Sequence, residues 1–262
     1  MTTLLANYEE HRTLFRALLA ADCDKRILLF RGVSGVGKSA LFRACVAEAR
    51  RRAKHLHCVP IQLKDSAISV AEIFYRLGDE IGWDHFPRFL EQVAAFQQTP
   101  TVNVEKNVMV GQNQISVALH AENLTDRSHR QVALTDACFQ DLRVLPQPVL
   151  VALDTYESAN SDVQQWLSSP FLVRAAKTTQ VRVLITGKST PNHLDHDFEW
   201  GYCCQAQEMR GVHEAEHWLP LVHDLYPHIP HDMAMFLLRT VCRANYGRPE
   251  AIMKVIQAVE WA

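Results

Sequence analysis

Two hydrophobic periods alternate along the chain. Leu14, Phe15, Leu18 and Leu19 share one helical face ahead of Arg26 to Phe30, which reads as a buried strand. The helical period returns from Lys38 to about Arg52, Leu56 to Leu63 reads as a second strand, and Val70, Ile73, Phe74 and Leu77 line one face of the next helix. This strand–helix–strand rhythm predicts a parallel sheet, because parallel neighbours need a crossover between them. Val102, Val104, Val108 and Val110 alternate with polar residues, Gly111-Gln112-Asn113 interrupts, and Ile115, Val117 and Leu119 alternate again. That texture predicts a β-hairpin inserted at 101–119, either a sheet-edge decoration or a surface for a partner or oligomer. A helix is expected from Ser128 to Leu145, stopped near Pro146 and Pro148. The uninterrupted apolar run Val149 to Leu153 reads as a strand buried on both faces and ends in Asp154. Val181 to Thr186 is a similar strand ending at Gly187-Lys188, and a shorter candidate lies around Tyr202 to Gln205. Beyond it only helices are expected: Val212 to Leu219, His231 to Ala244 and Pro249 to Trp261. The expected architecture is a three-layer α/β core over residues 1–205 with a small helical lid over 206–262.

Composition narrows this little. A chain of 262 residues can bury one substantial core. A formal charge of -2 hides no strongly basic or acidic block that by itself would indicate nucleic acid, which is therefore not the expected partner, and no run reaches membrane-spanning length. Seven cysteines, isolated or in apolar stretches such as those around Cys45 and Cys138, suit buried thiols in a reducing compartment, and the adjacent Cys203 and Cys204 lack metal-site spacing. Met1 to Ala20 carries Glu9, Glu10, His11, Arg12 and Arg16, which no signal peptide does, so the expected location is cytoplasmic.

The chemistry concentrates at Gly32-Val33-Ser34-Gly35-Val36-Gly37-Lys38-Ser39, which satisfies G-x-x-x-x-G-K-[ST] directly after a strand and before a helix. Glycines there let successive N–H groups converge on a phosphate at the positive end of the helix. Gly32, Ser34, Gly35, Val36, Gly37, Lys38, Ser39 and Ala40 are therefore the candidate phosphate-binding residues of a P-loop, with Lys38 bridging the β- and γ-phosphates and the Ser39 hydroxyl on Mg²⁺. Asp154 is the candidate second metal acid, the Walker B role, against the plainer reading of a turn or helix cap. Glu157 is either the base that orients or deprotonates water, or a solvent-exposed glutamate. Thr186 can reach the γ-phosphate or that water, and Lys188 either adds charge there or is simply solvated.

With Gly32 to Ser39, Leu153-Asp154-Thr155-Tyr156-Glu157, Leu184-Ile185-Thr186-Gly187-Lys188 and Gly247-Arg248-Pro249 in this order, the chain resembles the STAND ATPases (NACHT/NB-ARC-like), relatives of the AAA+ proteins that act as switches in immunity, cell death and bacterial defence. The resemblance runs from Asn7-Tyr8-Glu9-Glu10, similar to the nucleotide-contacting start of that domain, to the last helix. It implies ATP or ADP with Mg²⁺, a sheet in the order 5-1-4-3-2, and a place for Pro249 beside the adenine. It also implies an ATP-hydrolysing switch that works through protein partners or self-association. ATP is expected to order the lid against the core and hydrolysis to release it, since a γ-phosphate touching both biases a two-state arrangement. Thr155 stands where many relatives have an acid and Lys188 where many have arginine, so the base is Glu157 or is missing. Arg174, Arg182 and Arg248 are all candidates for an arginine by which a neighbouring subunit would complete the site. A sensor or effector is expected on another polypeptide or on a longer chain.

Other readings stay open: a non-hydrolysing module that holds nucleotide structurally, a DNA-associated AAA+ machine, and a P-loop small-molecule kinase. His213-Glu214-Ala215-Glu216-His217 also matches H-E-x-x-H, with His223 at the third-ligand spacing of a zinc protease. Pro220 occupies the place of that motif's turn glycine, and Ala215, Trp218 and Leu219 make an apolar helical face away from the histidines, so the stretch reads as a solvated lid helix.

Overall fold

The computed structural model describes residues 8–20, 22–52, 55–65, 68–97, 111–121, 123–192 and 199–258. Among these, five strands form one parallel sheet: β1 (Ile27–Arg31), β2 (His57–Gln62), β3 (Val149–Asp154), β4 (Val181–Gly187) and β5 (Cys204–Glu208). Their order is β2-β3-β4-β1-β5, which is the expected 5-1-4-3-2 read from the other edge. β3 and β4 are buried throughout, the consequence of lying between other strands with helices on both faces. The register pairs Asp154 with Thr186 and Thr186 with Phe30, so the carboxyl ends of β3, β4 and β1 finish level. β5 runs past the expected Gln205 to Glu208 because it pairs with β1 along its whole length.

Side chains alternate between two cores. Ile27, Leu29, Val59, Ile61, Val151, Leu153, Val183 and Ile185 face one way. They pack under α3 (Val70–Ile81), α4 (Pro87–Phe96), α5 (Gln112–Leu119), α6 (Leu124–Arg143), α7 (Ser161–Trp166) and α8 (Leu172–Ala176). Leu28, Phe30, Leu150, Ala152 and Leu184 face the other way, under α1 (Glu9–Leu18) and α2 (Lys38–Arg50). The same second core takes in α9 (Leu219–Leu225), α10 (His231–Ala244) and α11 (Pro249–Ala258) through Val222, Leu238, Ile252 and Ile256. The fold is therefore the three-layer α/β arrangement of a P-loop NTPase.

Three local expectations are corrected. The second half of the predicted hairpin is the helix α5; its first half, 101–110, lies outside the described residues. Ile115 and Leu119 fit a strand as well as a helix, but Ala118 is buried beside them while Val117 is 57% exposed, and only a helix turns 115, 118 and 119 to one side. α6 begins at Leu124, four residues early, because the Asn123 side chain accepts the Asp126 N–H at 2.8 Å and caps it there. The expected helix at Val212 to Leu219 is instead an extended stretch, one 3₁₀ turn at Ala215–His217 and then α9. Pro220 sits in the first turn of α9, and the Trp218 indole N–H returns to the Val212 carbonyl at 3.0 Å, which a continuous helix could not allow. α4 has no counterpart in the sequence reading. Among the described residues, no helix is long and apolar enough to cross a membrane.

Candidate functional site

The glycine loop leaves β1 at Arg31 and enters α2 at Lys38, on the carboxyl edge of the sheet where parallel α/β folds bind ligands. Gly35 and Gly37 have φ of +80° and +94°, conformations closed to most residues. Lys38 folds back over the loop, its Nζ donating to the Gly32 and Val33 carbonyls at 2.7 and 2.8 Å. Burial lowers its pKa, while Glu157 and Asp154 pull it back up. Val36 points into the second core, so it offers the cleft only its backbone. The Tyr8 hydroxyl donates to the Val36 carbonyl and its ring lies against Gly37, so the start of α1 buttresses the loop from behind. Asn7 lies outside the described residues.

Asp154 is 1% exposed at the end of β3. Its Oδ1 accepts from the Thr186 hydroxyl on the neighbouring strand, and its Oδ2 is buried without a hydrogen-bond partner. A buried carboxylate oxygen with nothing to bond calls for a cation or water in front of it. The chain then turns sharply at Thr155, φ +63°, a strain of about 1–3 kcal/mol for a non-glycine residue of the kind that gathers at functional sites. This turn brings Glu157 beside β4, where its Oε2 accepts the Lys188 N–H at 2.8 Å. Gly187 makes room for that contact, since a Cβ there would lie 2.8 Å from the same oxygen.

These parts surround a cleft of about 570 Å³, within the roughly 300–1,000 Å³ of small-molecule sites. Ser34, Gly35, Gly37, Lys38, Ser39 and Ala40 form its floor, Thr155, Glu157 and Lys188 one wall, and Pro249, Glu250 and Met253 of α11 the other. Gly32 lies behind the loop, bonded through its N–H to the Gly187 carbonyl, and Asp154 and Thr186 support the cleft without lining it. Arg43 also lines it; its position one helical turn after Ser39 on α2 is the signal that the sequence reading passed over. Of the candidate arginines, Arg182 is committed at the opposite end of β4, with Nε on the Leu18 carbonyl at 2.9 Å, and Arg174 pairs with Asp136. Arg248 precedes Pro249 and is exposed.

A magnesium nucleotide fits these residues. The exposed Ser39 lines the cleft and Asp154 has an unpaired oxygen behind it, so these two side chains would hold a Mg²⁺ that comes with the phosphates. Elsewhere, His213 precedes the 3₁₀ turn and His217 ends it, with the His217 Nδ1 3.5 Å from Glu214. Among the described residues, no three His, Cys, Asp or Glu side chains come together as metal ligands.

No protein-family model and no curated protein matches the chain. Solved structures do. The chain is similar to Cdc6p from Pyrobaculum aerophilum, with a TM-score of 0.55 at 11% identity over 96% of this chain and 61% of that one. It is similar to Drosophila ORC in a DNA-bound structure, with a TM-score of 0.54 at 14% identity over 95% of this chain and 58% of that one. The chain thus spans about three fifths of the length of these neighbours. At such identities the likeness carries the fold alone, and it does not single out the STAND branch.

Proposed function

We propose that this chain is a Mg²⁺-dependent ATPase that works as a switch of the STAND type, with a core whose last strand is β5 and a lid made of α9, α10 and α11. The Asp154 carboxylate carries the reading: Thr186 holds its Oδ1, and its Oδ2 is buried without a partner at the carboxyl edge of the sheet, near enough to raise the Lys38 pKa, which is where a P-loop site needs a metal acid. The loop N–H groups and the α2 N-terminus hold the β-phosphate, and Lys38 leaves the Gly32 and Val33 carbonyls for the phosphate oxygens. Ser39 and Asp154 would hold the metal, which would supply charge neutralisation at the transferring phosphoryl group. Glu157 orients the attacking water and takes its proton once it releases the Lys188 N–H. The cleft is bounded by both core and lid, so its occupancy biases their arrangement and, through it, a protein partner or a second copy in signalling or defence.

Purified chain with Mg²⁺ and ATP, beside Lys38→Ala and Glu157→Gln, tests this. Lys38→Ala is expected to abolish binding and turnover, and Glu157→Gln to abolish turnover while sparing binding. Unchanged affinity and turnover in Lys38→Ala would sink the proposal. Retained nucleotide with no turnover, indifferent to Glu157→Gln, is the outcome of a non-hydrolysing module, a reading supported by Thr155 and by the engagement of Glu157 with Lys188. A DNA-associated role is the second reading: one structural neighbour is bound to DNA, and Arg50, Arg51 and Arg52 form an exposed basic run at the end of α2. A salt-sensitive shift of duplex DNA, lost on replacing those arginines, would favour it.

A further inference from the structure

A second cavity, of about 320 Å³, lies between α3, α5, α6 and α7 and shares no lining residue with the cleft. The start of α3 faces it. The Ser69 side chain caps that helix by accepting the Glu72 N–H at 3.2 Å, and Arg76 holds the Glu72 carboxylate at 2.7 Å. The N–H groups of Val70 and Ala71 are thereby left without partners among the described residues. Arg127 of α6 lines the same cavity. Its Nη2 donates to Asp162 Oδ2 at 2.7 Å, and its other nitrogens have no hydrogen-bond partner among the described residues. Between them stands Gln131, only 9% exposed, whose Nε2 donates to Asp162 Oδ1 at 3.1 Å. An ionised carboxylate only accepts, so this contact fixes which way the amide points. The atom left over is Oε1, an acceptor on a buried side chain that lines the cavity and has no partner among the described residues. Asp162, the acid of the lining, has both oxygens engaged.

Orphan amides at a helix start beside a guanidinium call for an anion, whereas a buried amide oxygen calls for a donor. Inorganic phosphate satisfies both, because it keeps a P–OH at neutral pH. Sulfate has the same shape and charge but no proton to give. We propose that this cavity binds inorganic phosphate at a site separate from the nucleotide cleft. The phosphate oxygens accept from the Val70 and Ala71 N–H groups and from Arg127, and the P–OH donates to Gln131 Oε1. His120 and Ser116 border the opening and are exposed, so the ion enters from the α5 side.

The glycine loop can itself attract phosphate, so calorimetric titrations use the full chain carrying Lys38→Ala, alone and combined with Arg127→Gln or Gln131→Leu. One phosphate should bind per chain, and sulfate about tenfold more weakly. Arg127→Gln should weaken both anions by about tenfold, and Gln131→Leu should weaken phosphate alone and bring it level with sulfate. Equal affinity for the two anions in the Lys38→Ala chain overturns the proposal, and this comparison holds even where Gln131→Leu does not fold. So does phosphate binding that neither substitution alters, or no binding at all. A lower melting temperature in Arg127→Gln with unchanged phosphate affinity would mark Arg127 and Asp162 as a tie between α6 and α7 and nothing more. Glycerol phosphate binding more tightly than inorganic phosphate would move the cavity to phosphorylated small molecules and overturn the assignment made here. None of these outcomes bears on the nucleotide cleft.

Discussion

Thr186 and Asp154 meet because register aligns the ends of two strands that are 32 positions apart in sequence. Thr186→Val keeps the shape and removes the hydroxyl, leaving both Asp154 oxygens buried and unpaired, which should lower stability by about 1–3 kcal/mol. Turnover should fall further than affinity, because Asp154 loses its orientation while Lys38 and the loop remain; an intact turnover number in Thr186→Val would remove Thr186 from the site. The cysteines make a second residue-scale prediction. Burial pushes the thiols of Cys45 and Cys204 up to about 12 and those of Cys58 and Cys242 to about 11, and raises Cys138 as well, while Cys23 is half-buried. A raised thiol pKa means scarce thiolate at pH 8, so alkylation of the native protein should mark Cys23 first and leave those five thiols for the unfolded chain. Rapid native labelling at several sites, read by mass spectrometry, would contradict the packing of the two cores that hold these thiols.

α4 shows what an element can owe to a distant side chain. It has no side-chain cap of its own; instead the Phe89 N–H in its first turn donates to Asp141 Oδ2 on α6 at 2.9 Å. Asp141 is 1% exposed, its Oδ1 has no hydrogen-bond partner, and the Arg88 Nη1 stands 3.7 Å away. Burial raises its pKa, with the Phe89 N–H and Arg88 opposing. The folded state thus binds a proton more readily than the unfolded chain, so this group's contribution improves as pH falls toward 3.8 and is unfavourable at neutral pH. Asp141→Asn keeps an acceptor for Phe89 and should be at least as stable as wild type at pH 7, with the difference closing on acidification. Asp141→Ala should lose about 1–3 kcal/mol, because it strands a buried N–H. Urea melts at pH 5 and 7 decide this, and equal losses in both variants would refute the account. α5 teaches the complementary lesson. Its residues carry both periods at once, and the side that α3 and α4 cover selects the helix.

At the scale of the molecule, α9, α10 and α11 share a core with one face of the sheet and reach the cleft through Pro249, Glu250 and Met253. Bound ADP should therefore slow amide exchange in 247–253 together with the 32–39 loop, and Lys38→Ala should erase both effects. Protection of the loop with none in α11 would break the proposed coupling of lid and core.

The parts of this protein that can be read along the chain are those whose physics is local. The loop needs glycines, a lysine and a hydroxyl at set spacing, and doubly buried strands need continuous apolar runs, so Gly32 to Ser39, the strands ending in Asp154 and Thr186, and the helix at Pro249 were legible in one dimension. The sheet order and the place of Pro249 came from the resemblance to a family. Only the tertiary structure decided what depends on contacts between distant segments: Tyr8 behind the loop, Asp141 capping α4, Arg182 drawn away to the Leu18 carbonyl, and Glu250 set over Gly35. The physical reason is that a side chain's role follows from its neighbours, and packing brings together residues whose spacing in the chain carries no period to read.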